Sequence, residues 1–403
     1  MTHTPNPNRT QVLVVGAGPV GLMAALTLRR HGIDVRVVDQ QSEARAHTFP
    51  VVLHPQSLRL LREVGLEGAL LWRGRPVTRL AVYTEHERRA VLDLPTPAGI
   101  STAAMTLPQD VLRSALTSEL ATSGVAVEWN TRLEVLQQDS RAAWGRLVRE
   151  DPARRMHGGR GEVDAFEADF VIGADGYDST VREALGIQLV QYGPLQSFAF
   201  FDAPTQRAGA EAQLAISEDF SNSIYPLQGG ESRFSFQIGR GLDTAPDVSA
   251  LRELLDARMP WYAEEIASVS WGGVAEFRRS LVTQLGVGRA WLAGEAAHLT
   301  GPLGVQSLNV GIDEASELSL RMVDALQNGH RPSFGEPYNA KRIRQWQDLL
   351  GIHERMAIST RSPDWARRCA SRLLACLPAS GADLDDLLAQ LRLTRVSGPP
   401  DEP

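Results

Sequence analysis

An apolar run that enters a glycine-spaced turn constrains this chain more than any other feature. Residues 11–15, Gln-Val-Leu-Val-Val, lead into Gly16-Ala17-Gly18-Pro19-Val20-Gly21, after which Leu22, Ala25, Leu26 and Arg29 fall at helical spacing. This predicts a strand buried on both faces of a parallel sheet, a tight turn and a helix. In such a unit the first glycine allows the sharp turn, the second lets backbone approach a pyrophosphate, and the third packs the helix closely. The N–H groups at the helix start then favour an anion. Thirty-five glycines in 403 residues can produce this spacing by accident, so the context carries the argument. Gly32 stops the helix, and residues 33–39 read as a second strand ending in Asp39, 21 positions after Gly18. That is where a dinucleotide βαβ unit places its ribose-binding acid, and an acid suits an unphosphorylated ribose, as in FAD or NAD.

Composition narrows the partners. A net charge of −7 and a pI near 5.8 argue against a nucleic-acid or anionic-membrane binder, which needs a clustered basic face. With 43% apolar and 22% charged residues the chain is an ordinary folded protein, long enough for two or three cores. No apolar run approaches the ~20 residues of a membrane span, and the polar, proline-bearing Met1–Arg9 is unlike a signal peptide. Cys369 and Cys376, seven positions apart, would lie roughly 10.5 Å apart along a helix, too far to bridge. A soluble protein of a reducing, cytoplasmic compartment is the expectation.

Two later segments repeat the strand-then-turn pattern. Asp169–Gly173 is a buried strand that delivers Asp175-Gly176, and Ser179-x-x-Arg182 follows, where Ser179 can also be read simply as a helix N-cap. At 289–294 another buried strand ends in Gly294-Glu295, followed by His298, Gly301, Pro302, Gly304, Val305, Gln306, Ser307, Leu308, Asn309 and Gly311 at the start of a long helical pattern. A glycine-rich loop opening a helix is a second polar cradle. Two cradles and one ribose acid imply one long ligand.

These three motifs, in this order and spacing, resemble the single-component FAD-dependent aromatic hydroxylases, the p-hydroxybenzoate hydroxylase-like flavoprotein monooxygenases, over about residues 10–345. The resemblance implies an α/β fold: a Rossmann-like FAD domain (10–75, 101–185, 281–345) with an inserted β-sheet substrate domain (76–100, 186–280). C-terminal helices (346–395) and disordered termini (1–9, 396–403) complete it. It assigns the ADP half of FAD to Gly16, Gly18, Pro19, Gly21 and Asp39. Asp175, Gly176 and Arg182 match a segment that serves FAD and transient NAD(P)H, since no second G-x-G-x-x-G unit is present. Gly294 through Asn309 matches the segment that meets the ribityl chain and ring, and Gln109 sits where the family has a glutamine near the ribityl chain. Tyr338 and Arg342 match a Y-x-x-x-R helix. No metal is implied.

The chain also departs from the pattern. Glu295 stands for aspartate, Gly301 for the first of two prolines, and Val305 and Ser307 for glycines that allow close approach to the ring. Phe49 stands near a family arginine, for which Arg45 can substitute.

Between the second and third motifs, Phe198–Phe201, Gln213–Ile216, Ser223–Leu227 and Arg233–Ile238 alternate like strands, with a helix at Ala250–Met259 and a strand near Val269–Trp271. By resemblance this sheet covers the pocket before the flavin, and Phe201, Tyr225, Pro226, Phe236 and Gln237 are the candidate substrate contacts. Each can equally be a core residue of the sheet. His298 reads as a structural histidine rather than a base, and no catalytic side chain is singled out, because the cofactor carries the chemistry.

The implied function is NAD(P)H- and O₂-dependent hydroxylation of a phenolic or polyketide-like aromatic by a monomer or homodimer. Baeyer–Villiger insertion, epoxidation and dehydrogenation are alternatives on the same scaffold. A non-enzymatic binding protein like the Rab GDP dissociation inhibitors is the remaining one.

Overall fold

The computed structural model describes residues 9–42, 50–96, 103–150, 161–206, 209–239, 246–329, 335–352, 356–358 and 362–395. Arg45, Phe49 and nearly all of both expected disordered ends lie outside them; Arg9 already opens the first strand.

Five parallel strands form the centre of an eight-stranded sheet, in the order Val127–Glu128, Val35–Val38, Arg9–Val15, Glu162–Gly173 and Ala290–Leu292. Val12, Leu13 and Val14 are fully buried, as an apolar run in a sheet covered on both faces must be. Register is what matters for function. Val15 pairs with Val38 on one side and Gly173 on the other, and Gly173 pairs with Leu292. Four strands far apart in sequence therefore end level with one another, and the turns that follow them share one edge of the sheet. Ligands of open α/β sheets bind beyond the carboxyl ends of such strands.

Two helices pack across one face of this sheet. Pro19–Arg30 ends with His31 and Gly32, the latter at φ +77°, as its glycine implied. The long helix Gln306–Asn328 lies against it, burying Ile312, Ala315, Leu318 and Met322 at helical spacing, and Ser319 donates a hydrogen bond to the Ala24 carbonyl at 3.2 Å.

The second sheet has seven strands, in the order Trp271–Phe277, Gln196–Pro204, Glu231–Ile238, Ser221–Pro226, Glu211–Ile216, Arg79–Thr84 and Glu87–Asp93. The last two form a hairpin, with Glu85 and His86 at φ 51° and 65° in its two-residue turn. Strand alternation divides the aromatic residues. Phe201, Phe234 and Phe236 face the helix Val248–Arg258 and pack with Leu251, Leu255 and Met259, while Phe198, Phe200 and Tyr225 face the other way. The first strand in this order begins at Trp271 rather than near Val269. Gly272 and Gly273 mask its signal, and a Cβ at Gly272 would meet the Pro246 carbonyl oxygen at 2.4 Å.

The C-terminal region is not helical throughout. Helices Asp364–Arg368, Ala370–Cys376 and Gly381–Gln390 are bracketed by a two-stranded ribbon, Met356–Ile358 with Leu393–Arg395. Cys369 and Cys376 are free and buried. Among the described residues no helix is long and apolar enough to cross a membrane.

Candidate functional site

One cavity of about 720 Å³ runs along the shared strand edge and on to the second sheet. At its start the helix Pro19–Arg30 has no side-chain cap and no acid in its first turn, so its leading N–H groups are left for a ligand. Asp39 shapes the turn: its carboxylate accepts from the Ala17 N–H at 2.7 Å and the Gln41 N–H at 2.8 Å. Gly16, Gly18, Pro19 and Asp39 all line the cavity. Gly21 does not; a Cβ there would lie 2.0 Å from the Gly16 carbonyl oxygen, so its part is to let helix and turn approach.

In the second motif Asp175 and Gly176 line the cavity. Burial pushes the Asp175 carboxyl above its ordinary range, against hydrogen bonds from Ser179 and the Val181 N–H. Ser179 is also the helix N-cap, accepting from the Arg182 N–H at 3.0 Å. Arg182 turns away from the cavity, correcting its place among the contact residues. Its guanidinium donates to the Ala296 carbonyl at 3.0 Å and the Tyr177 carbonyl at 2.7 Å, tying the second motif to the third.

The third motif is split the same way. Glu295 lines the cavity, and burial raises its carboxyl pKa although His298 opposes the shift. Gly294, at φ +63°, packs on Val20 behind it. Of the following loop, Pro302, Val305, Ser307 and Leu308 line the cavity. Three other expected ring contacts are corrected. Gln306 donates to the Leu377 and Ala379 carbonyls at 2.9 and 3.0 Å. Gly304 is pressed against the C-terminal helices, where a Cβ would meet the Ala375 carbonyl oxygen at 2.3 Å. Asn309 is fully buried, accepting from the His54 N–H and Ser57 hydroxyl and donating to the Val52 and Val305 carbonyls. The loop opens the long helix, which again has neither a side-chain cap nor an acid in its first turn.

On the sheet wall only one of five candidates lines the cavity. Tyr225 does; Phe201 and Phe236 are in the opposite core, and Pro226 and Gln237 are held elsewhere, Pro226 by Thr106 and Gln237 by Ser221 and Arg372. The wall is instead Phe200, Ser223, Arg233, Ser235 and Phe277 with Tyr225. Choosing Tyr225 did not bring in Phe200, because the register that puts the two on one face comes from pairing through the strand Glu231–Ile238. Arg113 was missed as well. It lines the cavity one helical turn after Gln109, and that i to i+4 spacing was its signal.

The residues present fit FAD. Two uncapped helix starts suit a diphosphate and the polar edge of a ring. Asp39 suits a ribose, and at Gly18 a Cβ would meet nothing within 4 Å, so open space is left over the turn.

Comparison with known proteins agrees. Residues 9–351 match the family described as an FAD binding domain. The chain is 29% identical over 357 residues to 6-methylpretetramide 4-monooxygenase of Streptomyces rimosus, covering 84% of this chain and 60% of that protein. It is 25% identical over 360 residues to pentachlorophenol 4-monooxygenase of Sphingobium chlorophenolicum, covering 85% and 63%. The chain thus spans under two thirds of the length of these curated relatives. Its fold matches p-nitrophenol 4-monooxygenase of Pseudomonas putida, with TM-score 0.71 and 19% identity over 96% of this chain and 100% of that one. The three motifs, their shared strand edge and the match over residues 9–351 place the chain in the FAD-binding family of the single-component aromatic hydroxylases.

Proposed function

We propose that the chain is an FAD-dependent monooxygenase that uses NAD(P)H and O₂ to hydroxylate a phenolic or polyketide-like aromatic compound. The observation that carries this reading is the continuity of one cavity from the Asp39 turn, past both uncapped helix starts, to an aromatic-lined sheet. Bound FAD would accept the reducing equivalents of NAD(P)H and activate O₂, so that one oxygen atom enters the substrate and the other leaves as water.

The chain's own residues hold and shield. Asp39 would accept from a ribose hydroxyl, and the helix start after Gly18 would face the diphosphate. Glu295, its carboxyl raised by burial, would serve the polar chain beyond. Phe200, Tyr225 and Phe277 would keep water from the reacting ring and orient it. Activity on phenolic and polyketide compounds by the named relatives supports the substrate class. The two free thiols fit a reducing, cytoplasmic compartment.

The test begins with a spectrum. Purified protein should take up FAD, turn yellow and oxidise NAD(P)H faster with a candidate phenol, yielding a product one oxygen heavier. A colourless protein that refuses added FAD would overturn the reading. A ring-expanded lactone, an epoxide or a dehydrogenated product would replace hydroxylation by the corresponding reaction.

A further inference from the structure

Among the described residues the strands of the sheet wall present one arginine to the cavity, Arg233, and the structure neutralises it. Its Nε and Nη2 donate to the two carboxylate oxygens of Asp202 at 2.7 and 2.6 Å, with both side chains nearly buried, 8% and 12% exposed. Asp202 is its register partner on the adjoining strand, and Trp271 is the register partner of Asp202 on the strand beyond. The guanidinium carbon lies 4.9 Å from the Trp271 ring centroid and 5.8 Å from that of Phe200. A planar, two-bonded pair of this kind carries no net charge. Of the other polar groups of the wall, Ser223, Ser235 and Tyr225 are uncharged, burial holding the Tyr225 phenol far above its ordinary range, and the exposed Glu276 adds a negative charge.

Elsewhere three more arginines, Arg113, Arg132 and Arg278, line the cavity, against the four carboxylates of Asp39, Asp175, Glu276 and Glu295. Arg113 sits by the Trp129 ring, 5.8 Å from its centroid, and Arg132 is ion-paired to Glu134 at 3.0 Å. Arg278 is exposed and bonded to the Tyr177 hydroxyl. Asp175 and Glu295, also on the cavity, would repel an anion. A carboxylate entering this wall would lose its hydration against a neutral pair.

We infer that the pocket selects aromatic substrates bearing uncharged oxygen substituents, phenol or ketone, and rejects aromatic carboxylates, with the Arg233–Asp202 pair as the specificity device. This deepens the aromatic-monooxygenase reading and rests on it.

Calorimetric titration of FAD-loaded protein at neutral pH tests it with 4-hydroxybenzoate, its methyl ester and 4-hydroxyacetophenone. The ester and the ketone should bind at least tenfold more tightly than the carboxylate. In Asp202→Asn, which leaves the Arg233 charge uncompensated, the carboxylate should gain about tenfold relative to its ester. Equal or tighter binding of the carboxylate by the wild-type protein overturns the inference and leaves the function standing. Binding of none of the three by protein that has taken up FAD overturns the aromatic reading and the inference together. If Asp202→Asn does not fold, the wild-type acid-to-ester ratio alone decides.

Discussion

Three glycines in one motif do different physical work. A methyl group on Gly16, which sits at φ +104°, would lie 2.2 Å from the Ala174 carbonyl oxygen, and one on Gly21 would lie 2.0 Å from that of Gly16. Both serve the protein's own packing. On Gly18, at φ −70° and ψ 170°, a methyl group would meet nothing within 4 Å, so only a ligand needs this residue to be small. Gly18→Ala should therefore leave the FAD-free protein within about 1 kcal/mol of wild type, the scale of an N-cap change, yet weaken FAD at least tenfold. Gly16→Ala should destabilise the fold itself. Thermal melts without FAD and fluorescence titration with it separate the two; equal FAD affinity in Gly18→Ala would refute the assignment. Val305 shows the reverse case. It stands where the family has glycine and holds φ 47°, a strained conformation for a β-branched residue.

Among the elements, the segment Pro302–Asn309 has been bound from behind. Gln306 reaches the turn between the helices Ala370–Cys376 and Gly381–Gln390, and Gly304 is packed on the first of these. Arg59 adds an ion pair to Asp383 at 2.7 Å, and Arg372 reaches the Glu218 carbonyl on the substrate side. The C-terminal helices thus brace both walls of the cavity. Gln306→Leu would leave the buried Ala379 carbonyl unpaired and the Leu377 carbonyl with only its bond from the Ala379 N–H, at a cost of about 2 kcal/mol. Urea melts should show that loss, with hydrogen exchange rising across residues 377–391. Unchanged protection there would show that Gln306 does not anchor this segment.

For the molecule as a whole, a charged cluster joins the helices Gln306–Asn328 and Gly335–Leu349. Arg342 is buried between Asp313, at 2.7 Å, and Glu317, which also accepts from Lys341 at 2.9 Å and Arg321 at 2.8 Å. Burial pushes the Glu317 carboxyl up, but Arg342, Lys341 and Arg321 outweigh it and hold the group at about 2, below its ordinary 4.5. A depressed carboxylate contributes stability above the unfolded-state value, and loses it as pH falls toward the folded one. Wild-type melting temperature should thus fall more steeply between pH 6 and pH 3 than that of Glu317→Gln. Parallel profiles would exclude the cluster as a source of acid sensitivity. Deeper in, His298 bonds Glu314 at 2.6 Å and stacks on Trp346 with ring centroids 3.6 Å apart.

The motifs that carry the cofactor were legible because each is local: an apolar strand, a turn that needs glycine, a helix start, and Asp39 at a set distance. Chain order and spacing sufficed to name the family and to place the four strands, two of which stop at Val38 and Leu292, short of the expected Asp39 and Gly294. Which neighbours of those glycines face the ligand depended on contacts between segments hundreds of residues apart. Gln306 and Asn309 lie inside a matching motif yet turn to Leu377, Ala379, Val52 and His54. The sheet wall was illegible for a related reason. Aromatic residues at 200 and 201 read alike in sequence, and only pairing with the strands Glu231–Ile238 and Trp271–Phe277 sends Phe200 to the cavity and Phe201 to the opposite core. Local chemistry determined that there would be a cradle for a dinucleotide; tertiary register decided what stands at its far end.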